Sequence, residues 1–376
     1  MIISSKKMDT PLLPNQFQPE LYEALLKAKI ESTKALLTPF VINEPDIFRS
    51  PVQEFRYRAE FRIWHEGTDL FYAMFDPENP KQPLRVDDYP FGSDDIRRLM
   101  PALRTALLSS EILRHRLFQV ELLNTTTGEC LVTLIYHRKL DELWCEKARS
   151  LETALNIKVI GRSRKQRVVV TGDTVRERLT VQDKVYEYTY FEQGFTQPNP
   201  AINVAMLNWV SSQVGHSGRD LLELYCGLGN FSIPLSRCFR RVLGTEVAKS
   251  SVKAAQANIA INHIDNLSIA RLNASETAQA IRKERRFKRL DEICHQIDDY
   301  DFNTILVDPP RAGLDSDSTQ LACSMDQIVY ISCNPETLAR DLDNLSKTHE
   351  VKRWAIFDQF PYTHHVECGM ILNRRE

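Results

Sequence analysis

The 376-residue sequence lacks any run approaching the roughly 20 apolar residues that a membrane-spanning helix needs. Its opening stretch, Met1 to Asp9, has no apolar core of signal-peptide length, so secretion is not expected. There are eight cysteines, but no CxxC pair and no tandem arrangement. That excludes a disulfide framework of the secreted kind and points to reduced thiols in a cytoplasmic protein, where a special cysteine is catalytic sooner than bridged. A positive charge excess is also missing, since the net charge is −2. Any nucleic acid would then have to be held by basic residues gathered on one surface, not by the average charge. Internal repeats and low-complexity tracts are absent as well.

What is present is an ordinary globular composition, 43% hydrophobic and 26% charged. The length suggests two domains, at roughly 100–200 residues each. Basic residues do gather. Lys158, Arg162, Arg164, Lys165, Arg167, Arg176 and Arg178 face only Asp173 and Glu177 over 158–178, and the segment Arg56 to Arg62 is denser still in arginine. A solvated face is the plain alternative for each patch.

Two halves follow different periodicities. Residues 1–44 read as an N-terminal helical segment, with Leu21, Ala24, Leu25 and Ala28 at helical spacing. In the stretch Phe55 to Ile63, Phe55, Tyr57, Ala59, Phe61 and Ile63 alternate with Arg56, Arg58, Glu60 and Arg62. That pattern predicts a half-buried strand with a cationic outer face. Short β runs at Leu70–Phe75, Leu117–Leu123, Leu131–Tyr136, Arg167–Thr171 and Lys184–Tyr190, with a helix between Ser93 and Leu108, make 45–190 an α+β antiparallel-sheet domain. Over 191–376 the pattern becomes strand–helix–strand, with strands at Asp220–Tyr225, Val242–Glu246, Leu267–Leu272, Thr304–Asp308 and Ile328–Ser332. This predicts an α/β, Rossmann-like, parallel doubly wound domain. The polar stretch Ile281–Asp301 reads as an insertion.

Within that second half, Tyr225-Cys226-Gly227-Leu228-Gly229-Asn230 places two glycines directly after a strand, and Glu246 follows nineteen residues after Gly227. Glycine permits a sharp turn and a close ligand approach, and an acid at the end of the next strand suits ribose hydroxyls. With no third glycine there is no provision for a pyrophosphate, so a nucleoside such as S-adenosylmethionine fits better than a dinucleotide. Asp308-Pro309-Pro310-Arg311 and Ser332-Cys333-Asn334-Pro335 each follow a strand, where open α/β sheets build their sites. A cysteine there is placed as a nucleophile, although a buried inert thiol is the usual fate of any single cysteine. The cluster His364, His365, Glu367 and Cys368 matches no standard zinc spacing, so no metal is expected. On chemistry alone, His364, His365 or Glu367 can serve as a base.

The motifs Asp308-Pro-Pro-Arg, Ser332-Cys333-Asn334-Pro335 and Phe357-Asp358-Gln359-Phe360-Pro361-Tyr362-Thr363-His364-His365-Val366-Glu367 resemble those of the RNA uracil-5 methyltransferases. Together with Phe48-Arg49-Ser50-Pro51 and Arg58-Ala59-Glu60-Phe61-Arg62-Ile63-Trp64-His65, the similarity runs nearly the whole length and is closest to the tRNA-modifying, TrmA type. No segment ahead of the core corresponds to the small RNA-binding β-barrel of many ribosomal-RNA relatives, and the cysteine quartet of iron–sulfur relatives is missing. The resemblance implies Cys333 as nucleophile and Glu367 as proton acceptor. It implies Gln197, Tyr225, Asn230, Glu246 and Asp308 as contacts to S-adenosylmethionine. It further implies the T-loop uridine of tRNA (position 54) as target, with the similar loop of tmRNA a second candidate and ribosomal RNA the rival. A non-enzymatic RNA-binding protein on the same fold is the rival of another class. A positive neighbourhood, supplied by the sulfonium of the cofactor and by Arg311, is expected to help ionise Cys333. Arg56, Arg58 and Arg62 are expected to face away from the core and contact RNA phosphates. No obligate protein partner is implied.

Overall fold

The computed structural model describes residues 13–14, 17–76, 79–291, 293 and 295–376. The chain divides into two compact units. One comprises Pro51–Arg178 and Thr189–Pro200 with the described residues up to Tyr22. The other comprises Glu23–Ser50, Leu179–Tyr188 and Ala201–Glu376. The expected segment 1–44 is therefore not a body of its own. Its helix α1 (Tyr22–Leu37) and the strand β1 (Asp46–Phe48) belong, but for Tyr22, to the second unit. Leu37 is fully buried in that unit's core, and Ile30, Phe40 and Ile47 pack against it. Among the described residues no helix is long and apolar enough to cross a membrane.

The first unit is built on a seven-stranded sheet from β2 (Arg58–Glu66), β3 (Asp69–Asp76), β4 (Asn79–Val86), β5 (Leu117–Asn124), β6 (Cys130–Tyr136), β7 (Lys158–Ser163) and β8 (Gln166–Val169), in the order β4-β3-β2-β5-β6-β7-β8. Helices α2 (Asp94–Leu108), α3 (Glu111–Arg114) and α4 (Glu142–Leu155) accompany it. The sheet is antiparallel except where β6 and β7 run parallel, which α4 makes necessary as the crossover between them. In β2 the alternation is as expected, with Ala59, Phe61 and Ile63 buried. The strand opens at Arg58, however, so Phe55 and Tyr57 precede it. The hairpin β9 (Thr174–Val181) and β10 (Lys184–Phe191) forms a separate two-stranded sheet.

The second unit holds an eight-stranded sheet. After α5 (Pro200–Val214) come β11 (Asp220–Leu224), α6 (Ser232–Leu235), β12 (Val242–Thr245), α7 (Lys249–Ile261), β13 (Leu267–Ala270) and α8 (Ala274–Ile281). Then follow β14 (Phe302–Val307), α9 (Ser316–Cys323), β15 (Gln327–Ser332), α10 (Pro335–Leu345), β16 (His349–Phe357) and β17 (Glu367–Arg374). Their order is β1-β16-β17-β15-β14-β11-β12-β13. Strands β11 to β15 are mutually parallel and largely buried on both faces, which explains their short, mostly apolar sequences. β17 runs antiparallel between β15 and β16, an addition to the purely parallel sheet the sequence suggests. The order turns at β11, whose neighbours are β12 on one side and β14 on the other, so the crevice of a doubly wound sheet lies at that strand's carboxyl end.

Candidate active site

Tyr225, Glu246, Asp308 and Cys333 each directly follow the last residue of one of the parallel strands β11, β12, β14 and β15. Shared strand direction thus carries four residues, far apart in sequence, to one edge of one sheet. Ser332 pairs with Cys368 across β15 and β17, so Cys333 emerges opposite Glu367, the first residue of β17. An antiparallel neighbour is what allows a strand's beginning to meet another strand's end.

Cys333 stands between Ser332 and Asn334, the N-cap of α10. The Asn334 side chain accepts from the Glu336 N–H at 3.1 Å, and Pro335 occupies the first helical turn. The Asn334 amide also donates to the Arg311 carbonyl at 3.2 Å, tying this loop to Asp308–Arg311. The thiol is half-buried. Burial pushes it up to about 11, the Glu367 and Asp308 carboxyls add to the rise, and Arg311 opposes it. Arg311 favours the thiolate as expected, but burial first and then the two carboxyls outweigh it, so the thiol is held up until a further positive charge such as a sulfonium joins the site. Glu367 is buried and lies well above the ordinary carboxyl range through desolvation and then Asp308. Burial also raises Asp308, to about 7. The site therefore holds two carboxyls and a thiol, all reluctant to ionise until a positive charge joins them.

The two glycines and the acid come together as the spacing suggests. The Gly227 N–H donates to Glu246 Oε2 at 3.2 Å, and the Ala248 N–H to Oε1 at 2.7 Å. Gly227 has φ 56°, and a Cβ there would meet nothing within 4 Å, so open space adjoins the acid. Val247 beside it is 63% exposed, a bare apolar surface at the same lip. A carboxylate with unused lone pairs, open space and an apolar flank fit a ribose and base. The acidic pair Asp308 and Glu367 fits a cationic group such as a sulfonium. Tyr225 has φ 61°, a costly conformation for a non-glycine residue and a recurrent one at functional sites. Its hydroxyl lies 3.3 Å from Ser318 Oγ.

Asn230 carries a reciprocal pair of hydrogen bonds with buried Asn203, at 2.9 and 3.0 Å, so half its amide capacity is spent inside the protein. Gln197 is half-buried in the Thr189–Pro200 segment of the first unit. Nearby in that segment Phe195 is 71% exposed, a ring the sequence reading passes over as part of a turn. Two other residues also escape it: Asn203 and the buried Glu223 of β11. Each is marked only by its partner in the fold, Asn230 for Asn203 and Ser232 for Glu223. His364 and His365 lie in the irregular segment before β17. Arg311 approaches His365 Nδ1 at 3.4 Å.

The arginines of the first unit are not equivalent. Arg62 is exposed, with its guanidinium 3.8 Å from the Phe118 ring centroid. Arg58, on the same outer face of β2, is half-buried and donates to the Gly194 carbonyl at 2.6 Å and the Glu192 carbonyl at 2.9 Å. Arg56 donates to the Arg58 carbonyl at 3.0 Å. The cationic stretch 158–178 is likewise paired internally: Lys158 and Arg176 with Glu129, Arg162 with Glu192, and Arg167 with both Glu192 and Asp173. Among the described residues no group of three or more His, Cys, Asp or Glu is arranged to hold a metal.

Comparison with known proteins agrees with this geometry. A family model described as tRNA (Uracil-5-)-methyltransferase matches residues 21–375. The tRNA/tmRNA (uracil-C(5))-methyltransferase of Chromohalobacter salexigens is 50% identical over 363 residues, covering 95% of this chain and 97% of the relative. The protein of the same description from Shigella flexneri is 47% identical over 369 residues, covering 97% of this chain and 100% of the relative. Among solved structures, Pyrococcus abyssi tRNA (uracil-54, C5)-methyltransferase in complex with S-adenosyl-L-homocysteine shares the fold, with a TM-score of 0.70 at 22% identity over 93% of this chain and 83% of that one. With relatives matching at about half of all positions over nearly the full length, this chain belongs to the tRNA (uracil-5-)-methyltransferase family.

Proposed function

We propose that this chain methylates carbon 5 of the T-loop uridine of tRNA, giving ribothymidine, in the cytoplasm, with S-adenosylmethionine as methyl donor. The observation that carries the reading is Cys333 and Glu367 facing each other across the β15–β17 pairing, at the strand ends where Asp308, Tyr225 and Glu246 also gather. Bound S-adenosylmethionine supplies an electrophilic methyl group on a positively charged sulfur. Glu246, beside Gly227, would hold its ribose, Tyr225, Asn230 and Gln197 would be further contacts, and Asp308 would face its charge.

The chain's own residues do the rest. The Cys333 thiol gives its proton to water, and Sγ bonds to carbon 6 of the uracil ring as the electrons of the 5,6 double bond move onto carbon 5 and its neighbouring carbonyl, making carbon 5 nucleophilic. After carbon 5 has gained the methyl group, Glu367 takes the proton from that carbon. The freed electron pair re-forms the double bond and expels Sγ as thiolate. Burial makes Glu367 a stronger base than an ordinary carboxylate, which suits it to taking a proton from carbon. Reaching both ring faces requires the uridine to leave its stack.

The relatives are described as acting on tRNA and tmRNA, which favours tRNA over ribosomal RNA and keeps tmRNA as the second substrate. Nucleoside mass spectrometry of tRNA, tmRNA and ribosomal RNA, each incubated with the protein and labelled cofactor, tests the reading. Label is expected in 5-methyluridine from tRNA; label confined to ribosomal RNA, or in another nucleoside, overturns it.

A further inference from the structure

The turn that delivers Glu367 is held from within by a charge on α1. The Lys29 ammonium donates to Asp358 Oδ1 and to the Phe360 carbonyl, each at 2.7 Å. The two side chains are 5% and 1% exposed, so this ion pair is shut away from water. The Phe360 carbonyl also accepts from the Thr363 N–H at 3.3 Å and from its hydroxyl at 2.8 Å. That hydroxyl in turn accepts from the His365 N–H at 3.2 Å. On the other side, the Asp358 N–H donates to the Phe48 carbonyl at 3.0 Å, continuing the pairing of β1 with β16. Inside the turn, buried Tyr362 holds a left-handed conformation with φ 64°. Such a conformation persists in a non-glycine residue only where the surroundings over-determine it.

A buried ion pair is a weak source of stability, because desolvation of both charges offsets much of their attraction. What it does supply is direction: the ammonium fixes a carboxylate and a carbonyl in the same turn. Residues 359–366 have no regular secondary structure, and they connect this anchored point to Glu367.

We infer that Lys29 is a positioning residue for proton removal, its ammonium setting the 358–366 turn and through it the place of the Glu367 carboxyl. This rests on the reading of Glu367 as the base. The test compares Lys29→Met, the double variant Lys29→Met/Asp358→Asn, which leaves no lone buried carboxylate, and Lys29→Arg. Each is scored for folding by near-UV circular dichroism, for methyl transfer to tRNA in a single turnover, and for the lifetime of the methylated protein–RNA adduct on a denaturing gel. The double variant should fold and transfer methyl, yet release its adduct roughly 10- to 100-fold more slowly, the scale on which small misplacements of a catalytic group act. Lys29→Arg should recover part of that loss. A folded double variant with the wild-type adduct lifetime overturns the inference, as does failure of both Met variants to fold, since the pair would then serve stability alone. Glu367→Gln is run in parallel. If it too leaves the lifetime unchanged, the base assignment falls and the inference with it; if it alone traps the adduct, only the role of Lys29 falls.

Discussion

In the proposed mechanism Cys333 and Glu367, which share an electrostatic environment, act on opposite sides of the methyl transfer, so their variants should fail in different ways. Cys333→Ala should bind tRNA, form no covalent complex and transfer no methyl. Glu367→Gln keeps nucleophile and side-chain shape, and should slow adduct release by roughly 10²–10⁴-fold, the usual worth of a general base. If Glu367→Gln turns over normally while His364→Ala or His365→Ala traps the adduct, the base is misassigned and the nucleophile stands. The direction of pH dependence follows from the same environment. Burial raises Cys333, Glu367 and Asp308 alike, and each of the first two reacts in its deprotonated form. The single-turnover rate should therefore climb from about pH 6 to about pH 8.5. A rate that falls over that interval would contradict the assignment of both groups.

At the scale of elements, the lip of β12 and the outer face of β2 give separable effects. Glu246 ties the Gly227 and Ala248 amides to one carboxylate, so Glu246→Ala should weaken S-adenosylmethionine binding by about 1.5–3 kcal/mol, the range for hydrogen bonds to a charged group. Calorimetry showing unchanged cofactor affinity would remove Glu246 from the ribose. On β2 the three arginines part company. Arg62→Ala should flatten the log–log salt dependence of tRNA binding by about 0.7–0.9, one phosphate contact. Arg58→Ala should instead lower the melting temperature, because its guanidinium serves the Glu192 and Gly194 carbonyls. An unaltered salt slope in Arg62→Ala would leave that side chain as a stacked partner of Phe118 and nothing more. The elements also show what hides from pattern reading. β4 contains Pro80 and Pro83, which speak against a strand, and it is tolerated because it lies at the sheet edge. β9 breaks its apolar alternation at Glu177, an inward residue satisfied by the Thr126 N–H and hydroxyl, 51 residues away. By contrast α4 repeats Trp144, Ala148 and Leu151 at helical spacing behind an Asp141 cap, a readable signal absent from the expectations above.

Across the second unit as a whole, the sheet centre carries an acidic load that couples folding to pH. Glu223, on the central strand β11 and 1% exposed, is pushed up to about 8 by burial, against a hydrogen bond from Ser232; Asp308 adds to the rise. A carboxyl raised on folding contributes stability that is complete below its unfolded value of 4.5 and is lost as pH rises through its folded value. Each pKa unit is worth about 1.4 kcal/mol, so Glu223 accounts for a few kcal/mol between those limits. Glu223→Gln should therefore melt higher than the wild type at about pH 8.5 and close to it at about pH 4.5. Equal melting curves at the higher pH would mean that Glu223 ionises in place without cost.

Legible in the amino-acid order alone are the parallel strands of the second unit, the glycine turn with its acid, and the motifs around Asp308, Cys333 and Glu367. All of these depend on local periodicity or on residue types a few positions apart. That order could not place Glu367 opposite Cys333, because that meeting depends on β17 inserting antiparallel between β15 and β16. Nor could it show that Asn230 spends half its amide on Asn203, that Arg58 is spent on the Glu192 and Gly194 carbonyls, or that Lys29 pairs with Asp358 across 329 positions of sequence. Those facts belong to tertiary structure. Burial and pairing are settled by what folds against a side chain, and the partner's distance along the chain leaves no trace in either segment alone.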